Sequence, residues 1–169
     1  MERIVLAYSG GLDTSVAVKW LADRYEAEIV TVTIDLGQGK ELDDVRERAL
    51  AVGAVRAHVV DAREEFARDY IVPALQAGAI YEGRYPLATA LGRPLIAKKL
   101  VEIAEMENAG MIAHGCTGKG NDQVRMDVST RALNPAIKVV APARVWGLTR
   151  PEEIKYAQQH GIPVPASVE

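Results

Sequence analysis

The residues richest in potential chemistry lie near the amino terminus, in Ile4-Val5-Leu6-Ala7-Tyr8-Ser9-Gly10-Gly11-Leu12-Asp13-Thr14-Ser15. An apolar run ends in Ser-Gly-Gly and passes at once into a helical pattern. Paired glycines at such a junction let the backbone turn sharply and approach a ligand closely. The helix beyond aims unpaired N–H groups, and the positive end of its dipole, back at the turn. Ser9, Thr14 and Ser15 add hydroxyl donors. Two readings follow: a cradle for a phosphate-like anion, or a strand–turn–helix whose Ser, Asp and Thr simply cap the helix.

Three other stretches carry polar chemistry. Asp35-Leu36-Gly37-Gln38-Gly39 ends a β-branched run. Tyr81-Glu82-Gly83-Arg84-Tyr85-Pro86-Leu87-Ala88-Thr89 holds more polar groups than a connector needs, although its tyrosines could equally pack over the next helix. His114-Gly115-Cys116-Thr117-Gly118-Lys119-Gly120-Asn121-Asp122-Gln123-Val124-Arg125 is a second glycine-rich loop behind a short apolar run. Cys116 reads as a small packing residue rather than a nucleophile.

The elements that must position these loops alternate. Strands are expected over Arg3–Tyr8, Glu28–Asp35, Val55–Val60, Met111–His114 and Ile137–Ala141. Helices are expected over Asp13–Tyr25, Leu42–Val52, Arg63–Gln76, Leu95–Asn108, Asp122–Leu133 and Pro151–His160. Val16 with Trp20, and Ala17 with Leu21, have the i, i+4 spacing of a buried helix face. Gly53 is placed to stop its helix, and Pro73 predicts a kink or an early end. Such alternation specifies an α/β fold: a doubly wound, mainly parallel sheet with helices on both faces. Ligands of such sheets bind outside the carboxyl ends of the strands. The loops after the first, second and fourth strands therefore gather along one edge.

Composition bounds the rest. The 169 residues are enough for one domain, with 49% apolar and 25% charged residues. A net charge of −3 does not favour nucleic acid. One cysteine excludes an internal disulfide or a cysteine-rich metal site. No apolar run reaches a membrane span of about 18 residues, and the start lacks a signal-peptide pattern. A cytoplasmic setting without nucleic-acid or membrane partners is the expectation. One domain is expected over 1–165, with 166–169 beginning a linker to a further domain.

Motif arithmetic narrows the first loop. A dinucleotide fold requires G-x-G-x-x-G and a Walker loop requires G-x-x-x-x-G-K-S/T. The first lacks its third glycine here, and no lysine follows Gly11. The loop instead resembles the S-G-G-x-D-S/T signature of the ATP pyrophosphatases, an adenine nucleotide alpha-hydrolase-like group that cleaves ATP between its α- and β-phosphates. Within that group, Ala7 to Ser15 together with His114-Gly115 and Thr117-Gly118-Lys119-Gly120-Asn121-Asp122-Gln123-Val124-Arg125 resemble the argininosuccinate synthase family. Tyr81-Glu82, Arg84-Tyr85, Arg93-Pro94-Leu95-Ile96-Ala97 and His160-Gly161-Ile162-Pro163-Val164-Pro165 extend that similarity over essentially the whole chain.

The resemblance implies a carbon–nitrogen ligase of arginine biosynthesis that uses ATP, Mg²⁺, citrulline and aspartate. Citrulline's ureido oxygen takes the AMP group and releases pyrophosphate, and the aspartate amine then displaces AMP. The implied ATP residues are Ala7, Tyr8, Ser9, Gly10, Gly11, Leu12, Asp13, Thr14, Ser15, Ile34 and Gly115. Tyr85, Thr89, Asn121 and Arg125 would meet citrulline; Thr117, Asn121 and Asp122 would meet aspartate. Asp13 has two open roles, helix cap or Mg²⁺ ligand, and Lys119 could offset triphosphate charge. Thr89-Ala90 stands where many family members carry Thr-Ser, so one citrulline-facing hydroxyl is missing. The family's chains continue into a second domain and form homotetramers, so this chain is expected to bind ATP with little or no turnover. Two rival readings are a sulfur-inserting tRNA enzyme of the same superfamily, disfavoured by the single cysteine, and a non-catalytic nucleotide sensor. A sensor has no use for Thr117, Asn121, Asp122 and Arg125.

Overall fold

The computed structural model describes residues 2–39 and 42–163. The linker expected over 166–169, and the last residues of the domain expected to end at 165, lie outside these. Five strands form one sheet: β1 (Glu2–Ala7), β2 (Ala27–Asp35), β3 (Arg56–Asp61), β4 (Met111–Ala113) and β5 (Lys138–Val140). Their order is β3-β2-β1-β4-β5 and every pairing is parallel. On the central strand, Ile4 is in register with Ile29 of β2 and Met111 of β4.

Side-chain alternation sorts the core into two layers. Ile4, Leu6, Ile29, Met111 and Ala113 pack on one face with Val16 and Leu21 of α1 (Leu12–Tyr25), Val45 of α2 (Leu42–Ala51) and Ala157 of α8 (Arg150–Gln159). Val5, Val30, Val32, Ile34 and Ile112 pack on the other with Phe66 of α3 (Arg63–Phe66), Leu95 and Leu100 of α5 (Ala88–Met106) and Met126 of α6 (Asp122–Leu133). Strands covered on both faces need apolar residues at successive positions, which is why β2 is almost uniformly β-branched. The doubly wound expectation holds.

Several boundaries differ from expectation. α5 begins at Ala88, seven residues before Leu95, and carries Pro94 inside it. Pro94 cannot donate to the helix ladder, but burial of Gly92, Leu95 and Ala97 holds the helix through it. Gly92 permits that approach, since a Cβ there would stand 2.9 Å from Leu36 Cδ1. Pro73 does not end its segment: the turn before it widens to a π-helical turn (Ala67–Ile71), in which the Val72 N–H reaches the Ala67 carbonyl, and α4 (Val72–Gln76) continues. α2 stops at Ala51, where Ala54 N–H to Ala49 O and Gly53 N–H to Leu50 O close a Schellman turn. A short helix, α7 (Pro142–Val145), was not foreseen after β5. Its neighbour Trp146 packs edge-on against Trp20 of α1, with ring centres 5.9 Å apart.

At the amino ends of the strands lies a closed ionic cluster. Glu107, with 1% of its side chain exposed, accepts from Arg56 at 2.7 Å, Arg3 at 3.2 Å and His58 at 2.8 Å. Burial pushes its carboxyl up, but the His58 and Arg56 bonds outweigh that and leave it below the ordinary carboxylate value.

Candidate functional site

The strand order reverses between β1 and β4, so the chain leaves these neighbours in opposite directions and a crevice opens beyond their carboxyl ends. A cleft of about 920 Å³ fills that crevice.

The first loop forms one wall. The sheet's hydrogen bonding continues one residue past β1, with Tyr8 N–H donating to Val32 O at 2.9 Å and Thr33 Oγ1 donating to Tyr8 O at 2.9 Å. The Tyr8 hydroxyl meets Ser15 Oγ at 2.9 Å. Burial raises the Tyr8 pKa, and the Ser15 bond and Arg48 charge only partly oppose it, so the phenol stays neutral. Ser9 Oγ lies 3.2 Å from Thr14 Oγ1, which donates to Gly11 O at 3.2 Å. Arg48 Nη1 donates to Gly10 O at 2.7 Å and ties the turn to α2.

The alternative in which side chains merely cap the helix is not what forms. The N-cap of α1 is Gly11, which has no side chain to cap with, and among the described residues no side chain accepts from the N–H groups of Leu12, Asp13 or Thr14. The first intrahelical bond is Ser15 N–H to Gly11 O at 3.0 Å. Helix geometry therefore leaves the N–H groups of Leu12, Asp13 and Thr14 without intrahelical acceptors. Asp13, offered two roles by the sequence, does not cap: its carboxylate pairs with Arg150 of α8.

The second loop forms the facing wall. His114 is buried at the end of β4. Its Nε2 lies 2.9 Å from Asp127 Oδ1, and its Nδ1 accepts the Cys116 N–H at 3.3 Å. Those contacts assign the Nε2–H tautomer and hold the loop's first turn. The two walls touch, since a Cβ on Gly115 would stand 3.3 Å from Thr14 Cγ2. Burial raises the Cys116 thiol pKa, consistent with its reading as a packing residue.

Of the residues singled out from the sequence, Ala7, Tyr8, Ser9, Gly11, Leu12, Asp13, Thr14, Ile34, Thr89, Gly115, Thr117, Lys119 and Asp122 line the cleft. Gly10, Ser15, Tyr85, Asn121 and Arg125 stand off its wall. Gly10 turns its carbonyl to Arg48, and Ser15 is buried against Tyr8. Tyr85 is exposed in a small hairpin bridged to Tyr81, and its hydroxyl accepts the Thr89 N–H at 3.2 Å. The tyrosines thus do not bury themselves over α5. Asn121 is the exposed N-cap residue of α6. Arg125 Nη1 donates to Asp122 Oδ1 at 3.2 Å.

Three cleft residues were given no role of their own by the sequence, although Arg93 and Gln38 lie in stretches it singles out. Arg93 donates to Asp122 Oδ2 at 2.9 Å, and its buried Nε has no partner. Its Arg-Pro motif was visible, but the chain had to be read as helix there before the side chain could be aimed. Gln38 bridges the loop after β2, donating to Ile34 O and accepting the Leu36 N–H. Arg150 lies 137 residues from its partner Asp13, a separation no local pattern reveals. Beside it, buried Glu153 has its carboxyl pushed up to about 7, chiefly by burial and then by the Asp13 charge, with Arg150 opposing. Among the described residues no three His, Cys, Asp or Glu side chains gather as a metal cluster. No helix there is long and apolar enough to cross a membrane.

Comparison with known proteins agrees with this picture. Residues 3–163 match the family described as the arginosuccinate synthase N-terminal HUP domain. The chain is 61% identical over 168 residues to an argininosuccinate synthase of Oceanobacillus iheyensis, covering 99% of this chain and 40% of the relative. It is 59% identical over 169 residues to that of Symbiobacterium thermophilum, covering 99% and 42%. The chain thus spans about two fifths of the length of these relatives. A 4-thiouridine synthetase solved with RNA and bound ATP shares the fold at a TM-score of 0.65 and 19% identity, over 95% of this chain and 41% of that one. A predicted tRNA methyltransferase subunit from Methanocaldococcus jannaschii does so at 0.60 and 16%, over 94% and 75%. On a family match running from the first strand to beyond the last helix, the chain belongs to the argininosuccinate synthase N-terminal HUP domain family.

Proposed function

We propose that the cleft binds ATP and that the whole protein uses it to join citrulline to aspartate. The observation that carries this reading is the contact of the two glycine-rich loops across the strand-order reversal, with an uncapped helix start aimed between them. In this reading Ala7 to Ser15 bind the pyrophosphate end through backbone N–H and hydroxyl donors. Ile34, with Phe66 and Ile96 on the same wall, gives an apolar seat for adenine, and Gly115 leaves room beneath the nucleotide.

The chemistry proceeds in two steps. Citrulline's ureido oxygen attacks the α-phosphorus, the bond to the β-phosphate oxygen breaks, and pyrophosphate leaves with that electron pair. The aspartate amine then attacks the ureido carbon, loses a proton and expels AMP. Tyr85, Thr89, Asn121 and Arg125 hold citrulline; Thr117, Asn121 and Asp122 hold aspartate. Asp122 arrives already bound to Arg93 and Arg125. A substrate ammonium group would therefore join an existing ionic cluster.

Asp13 is suited to a Mg²⁺ carried in by the phosphates rather than to a resident ion, since it is joined by one other carboxylate, Glu153, and both already share Arg150. Such an ion would supply positive charge to offset that of the phosphates. Lys119 offsets charge from the second loop. Residues beyond this chain complete the amino-acid sites, so the chain alone binds nucleotide without appreciable turnover.

Isothermal titration of ATP into this chain tests the reading. Binding with a Kd of about 1 mM or tighter is expected, together with no argininosuccinate when citrulline and aspartate are added. No ATP binding would overturn the cleft's assignment. Robust argininosuccinate formation would overturn the division of labour.

A further inference from the structure

The residue least explained by the fold is Arg150. It is the first residue of α8 and lines the cleft. Its base is rigid: Thr149 and Glu152 form a capping box, with Thr149 N–H to Glu152 Oε2 at 2.7 Å, and Ala157 is fully buried against the α1 layer. Its head is open to solvent, with 62% of the side chain exposed. The guanidinium lies 3.6 Å from Glu153 of its own helix and reaches across to Asp13 in the first turn of α1, where the pair gives little stability because exposed ion pairs contribute weakly.

We propose that Arg150 grips the terminal phosphates of the bound nucleotide, and that Asp13 holds its guanidinium in place until a polyphosphate takes it. This rests on the ATP reading above and adds a residue to it. Asp13 lies in the first turn of α1, beside the uncapped N–H groups, so the guanidinium is parked at the pyrophosphate end rather than the adenosine end. The planar fork of arginine matches two phosphate oxygens at once, and a polyphosphate offers more negative charge than one carboxylate.

Lys119 comes from the facing loop, and two neighbouring arginines have partners of their own. Arg48 donates to the Gly10 carbonyl, and Arg93 to Asp122. Departure of Arg150 leaves Asp13, from α1, facing Glu153, from α8.

The test compares inorganic pyrophosphate, ATP and AMP by isothermal titration against this chain and its Arg150→Met and Arg150→Lys variants, with a thermal melt of each to show that it is folded. Arg150→Met is expected to weaken pyrophosphate and ATP about 10- to 100-fold while AMP changes less than about 2-fold. Arg150→Lys, which keeps the charge and loses the fork, should fall between. Unchanged pyrophosphate and ATP binding in a folded Arg150→Met variant would overturn the proposal. So would an equal loss for AMP, which would signal a distorted cleft. Failure of the unsubstituted chain to bind ATP or pyrophosphate would overturn the ATP reading itself, and is thereby distinguishable.

Discussion

The two ends of the sheet use similar residues for opposite purposes. At the amino ends, Glu107 is sealed from water and engaged by Arg3, Arg56 and His58. At the carboxyl ends, Asp13 is half-exposed and shares one exposed arginine with Glu153. The difference is burial and completeness. A sealed carboxylate with several donors is costly to disturb, because removing either side strands the other. An open, partly satisfied set is cheap to rearrange, and rearrangement is what a ligand site needs. The sheet imposes the division, since helix N-termini and the loops that lead into them collect at the carboxyl ends of the strands.

The largest effect should come from the closed end. Glu107→Ala is expected to destabilise the chain by about 2–4 kcal/mol, read as a lower urea midpoint, and to leave nucleotide affinity within 2-fold. Its acid profile is also defined. The folded carboxyl sits below its ordinary value of 4.5, so its contribution is complete above that value and is lost as pH falls through the folded one. The gap between the wild type and Glu107→Gln should therefore be wide at pH 7 and close in acid. A gap independent of pH would mean that the cluster acts through packing and not charge.

Thr149→Ala removes the capping box of α8 and should cost about 1 kcal/mol. It should also loosen Arg150 and weaken pyrophosphate binding by a smaller factor than Arg150→Met does. Glu153→Gln should have an effect whose size is set by pH. The folded carboxyl is raised to about 7, so ionising it between its unfolded value and 7 destabilises the fold. The substitution should raise the melting temperature at pH 8, by about 2–4 °C for each kcal/mol relieved, and should do little at pH 5. A loss of stability at pH 8 would show that Glu153 behaves like Glu107, and the contrast between the two ends would fail.

Much of the fold was legible because its strands are covered on both faces, and Ile29 to Ile34 could hardly be anything else. The first loop was legible because Ser9-Gly10-Gly11 is a compact local signal between a strand and a helix. What escaped was decided by distant packing. The start of α5 was hidden by Pro94, which marks a helix start by local rules but here lies within a helix held by core contacts. The pairing of Arg150 with Asp13 joins residues that only the docking of α8 on α1 brings together. The sealed cluster around Glu107 likewise draws on β1, β3 and the end of α5, none of which announces it.

The central claim is that one end of this sheet is a two-loop nucleotide site and the other is structural. Amide chemical shifts followed by NMR during an ATP titration test it most directly. The account predicts that Gly10 to Ser15 and Gly115 to Thr117 shift together with a single Kd, while Arg3, Arg56, His58 and Glu107 do not move. Shifts confined to one loop, or centred on the Glu107 end, would contradict it.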